Sequence, residues 1–127
     1  MYSSFTDMEK LATLATSGCI AGADGKIVGS ENSYFSTLVS LMDAQELVKQ
    51  ISQFSPQELY KTIRKMSADK KETVKRTWLK MYSYRSGGQD SGYYVLGNSE
   101  EDKVIRNMSF ECGIDVSGRI YIDEFPF

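Results

Sequence analysis

The chain has 127 residues, 41% hydrophobic and 25% charged, with a formal net charge of -2; this fits one compact domain over residues 1–127 and argues against wholesale disorder. It contains no histidine, which excludes a Ser-His-Asp triad, a Cys-His pair, a His-ligated zinc or haem, and any imidazole general base. Two cysteines, Cys19 and Cys112, are too few for a disulfide scaffold and lack Cys-x-x-Cys spacing, so a reduced, cytoplasmic protein is expected.

Helix-start chemistry recurs along the chain. Thr6-Asp7-Met8-Glu9 is a capping box, in which the Thr6 hydroxyl accepts from the Glu9 amide and the Glu9 carboxylate accepts from the Thr6 amide. Met8, Leu11, Ala12, Ala15 and Cys19 then hold a 3.6-residue period, which predicts a first helix from Thr6 to Ala21. After a loop from Gly22 to Gly29, Tyr34, Phe35, Leu38, Leu41 and Met42 mark one face of a second helix. Asp43-Ala44-Gln45-Glu46 predicts a box opening a third helix, with Leu47, Val48, Ile51 and Phe54 inward. Ser55-Pro56-Gln57-Glu58 is the strongest start, because proline at the first helical position sacrifices no hydrogen bond. The fourth helix carries Leu59, Ile63 and Met66. Asp69-Lys70-Lys71-Glu72 predicts a fifth, with Val74, Thr77, Trp78, Met81 and Tyr82 on its face.

The helical pattern then breaks. Arg85 to Asn98 holds four glycines around Tyr93-Tyr94-Val95-Leu96, a short β-prone run. Ser99 to Asp102 caps a sixth helix with Val104, Ile105, Met108 and Cys112 inward, and Gly113-Ile114 predicts a glycine terminator with its hydrophobic partner. In the tail, residues 115–127, Ile120 and Ile122 alternate with Arg119, Tyr121 and Asp123, which predicts a strand pairing with residues 93–96. The expected fold is all-α: a compact orthogonal bundle of about six helices over residues 6–114, with a small β-pair at one end.

The near-zero charge hides segregation. Residues 1–60 hold 3 basic and 7 acidic side chains, residues 61–85 hold 9 and 2, and residues 86–127 hold 3 and 8. The fourth and fifth helices are therefore a basic block, including Lys71, Lys75 and Arg76. This predicts either a surface for an anionic partner or a solvated face turned to the acidic segments of the same molecule. A sequence pI near 5.2 disfavours nucleic acid, since dedicated binders commonly exceed a pI of about 9, so a protein partner is expected. Tyr93 and Tyr94 form a second candidate partner patch. The first residues lack a basic start followed by an apolar stretch, and no apolar run approaches the roughly 20 residues that span a bilayer, so neither a signal peptide nor a membrane span is expected.

The loop between the first two helices contains Asp24-Gly25-x-Ile27-x-x-x-Glu31, the spacing of the last two-thirds of an EF-hand loop. Ile20 and Gly22 stand where the first two carboxylates belong. A structural role explains the same residues, with Asp24 accepting backbone amides, Gly25 supplying the turn, Ile27 filling the core and Glu31 at a helix N-terminus. The tail segment Asp115 to Glu124 makes a similar partial match, better explained as a turn before a strand. Oxygen-only ligation points to calcium, magnesium or manganese.

On the apolar helix ending in Ala23-Asp24-Gly25-Lys26-Ile27 with Glu31, followed by an amphipathic helix and more helices of similar length, the chain resembles the TerB-like domains named for tellurite-resistance proteins. The resemblance covers roughly residues 6–114, with one specific motif. It implies a compact non-enzymatic all-α protein whose two halves each carry an acidic helix-helix junction, some members binding divalent cations there. Here the second junction departs from the pattern, with Tyr84-Arg85-Ser86-Gly87 in place of a second Ala-Asp-Gly. The candidate ligand set is Asp24 and Glu31, with carbonyls of Gly22 or Lys26 and with Glu100 or Glu101 to complete the shell. The leading expectation is a cytoplasmic, stress-associated or interaction module with weak divalent-cation binding; the alternative is a macromolecule-binding adaptor using the basic block or the tyrosine loop.

Overall fold

The computed structural model describes residues 2–22, 29–85, 92–117 and 119–122. Among them the chain is an all-α bundle of five α-helices and one 3₁₀ helix, with a short β-pair at its edge.

The central element is α1, Asp7–Ala21, which packs against α2, the 3₁₀ helix, α3, α4 and α5. Its start is the expected capping box: the Thr6 amide donates to Glu9 Oε1 at 2.8 Å and the Glu9 amide to Thr6 Oγ1 at 3.2 Å. A helix surrounded on most sides must bury polar positions as well as apolar ones. Thr13, Thr16 and Ser17 are all buried and satisfy their hydroxyls by donating to carbonyls one turn back, those of Glu9, Ala12 and Thr13. The least covered arc of α1 is the stripe of Met8, Ala15 and Cys19, of which Met8 and Ala15 are partly buried against the core. Cys19, expected inward, is exposed, because the buried arc centres on Thr13, Ser17 and Ile20, on the opposite side of the helix.

Helix α2, Gly29–Leu41, buries Tyr34, Leu38 and the following Met42. Leu41, expected on that face, is 50% exposed. The expected box at Asp43 is absent. Asp43 instead adopts a left-handed conformation, φ 51°, and ends α2, with the Ala44 amide donating to the Val39 carbonyl at 2.9 Å. A residue that terminates one helix this way does not cap the next. The following turns form a 3₁₀ helix, Leu47–Gln53, without a side-chain cap, and Leu47, Val48, Ile51 and Phe54 are only partly buried.

Pro56 begins α3, Pro56–Arg64, with the Ser55–Glu58 box formed in both directions. Helix α4, Ala68–Arg85, starts before the expected Asp69 box: Ser67 provides the first accepting carbonyl, to the Lys71 amide at 3.0 Å. Its Val74, Thr77, Trp78 and Met81 are fully buried. The Trp78 indole N–H donates to Thr16 Oγ1 at 2.7 Å, which ties α4 to α1 at the centre of the core. Beside it, the Tyr2 hydroxyl and Thr77 Oγ1 share a 2.5 Å hydrogen bond.

Strand β1, Gly92–Val95, pairs antiparallel with β2, Arg119–Ile122, in the register Gly92 to Ile122 and Val95 to Arg119. Between them, α5, Glu100–Cys112, opens on the Ser99–Asp102 box and closes on Gly113 at φ 71°. There the Ile114 amide donates to the Ser109 carbonyl at 2.9 Å, and Ile114 is buried as the partner of that terminator. Among the described residues no helix is long and apolar enough to cross a membrane.

Candidate functional site

The basic block falls on α3 and α4, and its members have different fates. Lys70 donates to Glu9 Oε1 at 2.8 Å, with the two side chains only 24% and 13% exposed, and its ammonium stands 5.8 Å from the Phe5 ring centroid. Arg76 lies 3.6 Å from Glu72, one turn earlier on α4. Lys80 is buried within the fold. Arg64 reaches across to α5, where Nε donates to the Glu111 carbonyl and Nη2 to the Phe110 carbonyl, each at 3.0 Å.

That last contact has a local cause. The last turn of α5 contains no basic residue, so its carbonyls and the negative end of its dipole are met from outside the helix. Lys71 assists: its Nζ lies 3.5 Å from where a Cβ on Gly113 would stand, with Arg64 Cγ at 3.9 Å.

Four lysines of the block remain outward. Lys61 and Lys65 are exposed, Lys71 and Lys75 half-buried, and among the described residues no carboxylate forms an ion pair with any of them. Lys75 acts at longer range: after the hydrogen bonds from Ser117, its charge helps hold the Asp115 carboxyl below the ordinary range.

Phe110 is 79% exposed, and its carbonyl accepts from Arg64. One turn earlier on α5, Arg106 donates from Nη1 to the Gly97 carbonyl and from Nη2, at 2.6 Å, to the Leu96 carbonyl. Two guanidinium groups are thus fastened to backbone oxygens, one at the Phe110 carbonyl and the other at the segment that precedes the helix.

The expected cation junction is only partly visible. Asp24 lies outside the described residues, as do the side chains of Glu31 and Glu101. Glu100 is exposed at the start of α5 and lies 3.5 Å from Lys103. Among the described residues no three metal-capable side chains converge. Tyr93 and Tyr94 take their places in β1 opposite Tyr121 and Ile120; their side chains, and with them the expected tyrosine patch, lie outside the described residues.

Neither thiol is activated. Burial pushes Cys112 up to about 12, and partial desolvation by the apolar groove beside it raises the more open Cys19 as well, which disfavours the nucleophilic thiolate. Cys19 borders a groove of about 270 Å³ walled by Ile51, Phe54, Leu59 and Tyr60. Asp102 is buried; its carboxyl, which burial alone would raise, is held below its ordinary value by hydrogen bonds from Tyr82, Ser99 and Gly97. It therefore serves as an ionised structural cap.

Of the residues expected to meet a partner, Lys71, Lys75 and Arg76 all stand on α4. Sequence reasoning missed Phe110, Arg64 and Arg106 as a unit. Phe110 carried a signal, being out of phase with the inward set Ile105, Met108 and Cys112; the two arginine anchors, whose acceptors lie elsewhere in the chain, carried none. No family model, curated protein or solved structure matches the chain.

Proposed function

We propose that this protein is a non-enzymatic interaction module that docks an acidic protein partner on the face built from the end of α3, the first turns of α4 and the end of α5. The observation that supports it is the division within the basic block: Lys70, Arg64 and Arg76 are engaged inside the molecule, whereas Lys61, Lys65, Lys71 and Lys75 are left without ion-pair partners among the described residues. Lysines clustered without a direct ion-pair partner among the described residues draw anionic surfaces, speeding encounter and setting orientation. The absence of histidine and the raised thiols favour binding over catalysis. The acidic pI favours a protein over nucleic acid. The TerB-like resemblance, the stress association and the cytoplasmic location belong to the same proposal and rest on the sequence alone.

Retention on immobilised polyglutamate and on duplex DNA, eluted with rising salt, tests this reading. Wild type is expected to elute from polyglutamate later than Lys61→Glu/Lys71→Glu, whereas Lys49→Glu/Lys103→Glu, with the same change in net charge, elutes with wild type. Equal loss in both variants, or stronger retention on DNA than on polyglutamate, contradicts it.

A further inference from the structure

We propose that Phe110 is the hydrophobic anchor of this docking face, and that the partner it fits is an acidic amphipathic helix; this rests on the reading given above. Among the described residues two large hydrophobic side chains are exposed, Leu41 and Phe110. Leu41 sits just before the acidic residues Asp43 and Glu46. Phe110 has a more basic setting: although the exposed Glu111 follows it, Arg106 is one turn before it, Arg64 binds its carbonyl, and Lys71 lies at Gly113, where α5 ends.

Two features make this arrangement suited to binding. An aromatic ring with adjacent arginines is the composition of binding hot spots, since each carries a large contact area on few rotatable bonds. Both guanidinium groups are already held by backbone carbonyls, Arg106 by Leu96 and Gly97 and Arg64 by Phe110 and Glu111, so little side-chain freedom remains to be lost on association. The pattern is an exposed aromatic side chain with Arg106 one turn before it on the helix and Arg64 bonded to its own carbonyl. Its complement is an apolar stripe between two rows of carboxylates, which a helix presents when leucines at i, i+3, i+4 and i+7 are flanked by glutamates. A lipid surface is a poorer complement, because it is broad enough to meet the acidic segments on either side of the basic block as well, with 7 acids against 3 bases and 8 against 3, whereas a single helix meets the docking face alone.

The test uses the full chain and two synthetic peptides of equal length and charge, one alternating glutamates with leucines in that pattern, the other carrying serine for every leucine. Affinities are read by fluorescence anisotropy. Wild type is expected to bind the leucine peptide at least about tenfold more tightly than the serine peptide. Phe110→Ala, a surface change that keeps a strong helix former in α5, is expected to abolish that difference and leave the serine peptide unaffected. If Phe110→Ala binds the leucine peptide as wild type does while Lys61→Glu/Lys71→Glu loses it, the anchor is wrong and the basic face stands. If wild type binds neither peptide, the basic face falls too. Phe110-dependent binding to phosphatidylserine vesicles without peptide binding, or Phe110-dependent dimers in sedimentation without it, overturns the choice of partner.

Discussion

Arg64 Nε donates to the carbonyl of Glu111 across 3.0 Å, joining the last turn of α3 to the last turn of α5, 47 residues further along the chain. The contact satisfies a helix end that lacks basic residues of its own and fixes a cation beside the exposed Phe110. Packing and surface chemistry therefore meet in one side chain.

Removing that guanidinium is expected to loosen the end of α5. Arg64→Met keeps much of the aliphatic stem and leaves two carbonyls without their charged donor, costing about 0.5–1.5 kcal/mol, since these exposed acceptors can turn to water. Arg64→Lys recovers only part, because an ammonium does not reproduce the two-pronged geometry. Urea unfolding of the three proteins checks this; equal midpoints for Arg64→Met and wild type contradict it.

The link between Trp78 and Thr16 makes a second expectation. Thr16→Val leaves the buried indole N–H without its acceptor, a loss of about 1–3 kcal/mol. Because the two side chains share one bond, the cost of Trp78→Phe is expected to be smaller in the Thr16→Val background than in wild type. Additive costs in the double-mutant cycle rule out the coupling.

The pH profile follows from which groups titrate. For Glu9, burial raises the pKa, but the hydrogen bonds from Lys70 and Thr6 and the Lys70 charge outweigh it; Asp102 is lowered in the same way by Tyr82, Ser99 and Gly97. Carboxyls with depressed folded-state values contribute stability that is present above their ordinary values of 4.5 and 3.8 and lost as pH falls through the folded ones. Cys112 has the opposite sign: burial raises it from 9.0 to about 12, so stability present below pH 9.0 declines as pH rises toward that value. With no histidine, the urea midpoint is expected to stay level between about pH 5.5 and 7.5, and Asp102→Asn to lower the plateau and flatten the acid limb. A midpoint that moves across the plateau contradicts the assignment.

The cation junction expected from the sequence has its own assay. Calorimetric titration of calcium, magnesium and manganese into wild type is expected to show weak binding that Asp24→Ala removes, whereas Glu46→Ala, an exposed acid elsewhere, leaves it intact. No heat with wild type removes the junction as a metal site.

Most of the fold was legible where its determinants are local. Thr6 with Glu9, Ser55 with Glu58 and Ser99 with Asp102 all form reciprocal caps, because each pair needs only four consecutive residues in the right conformation. Asp43 and Glu46 have the same spacing and do not, since Asp43 is already committed to closing α2 through the Ala44 amide; the same residue types serve both ends of a helix, and the neighbouring helix decides. Cys19 was misplaced for a related reason: the apolar stripe it belongs to is continuous, but α1 is covered on its other arcs. At the site, the cations of α3 and α4 were visible as a block. Which of them are engaged depends on partners far away in sequence, Glu9 for Lys70 and Glu111 for Arg64, so the division within the block emerges only from the packed molecule.

The docking face is tested most directly by amide chemical shifts of the full, nitrogen-15-labelled chain during titration with the leucine-glutamate peptide. The expected shifts gather at the end of α3, the first turns of α4 and residues 106–114 around Phe110, and fade as salt is raised. Shifts centred on α2 and Leu41, or none anywhere at peptide excess, would contradict it.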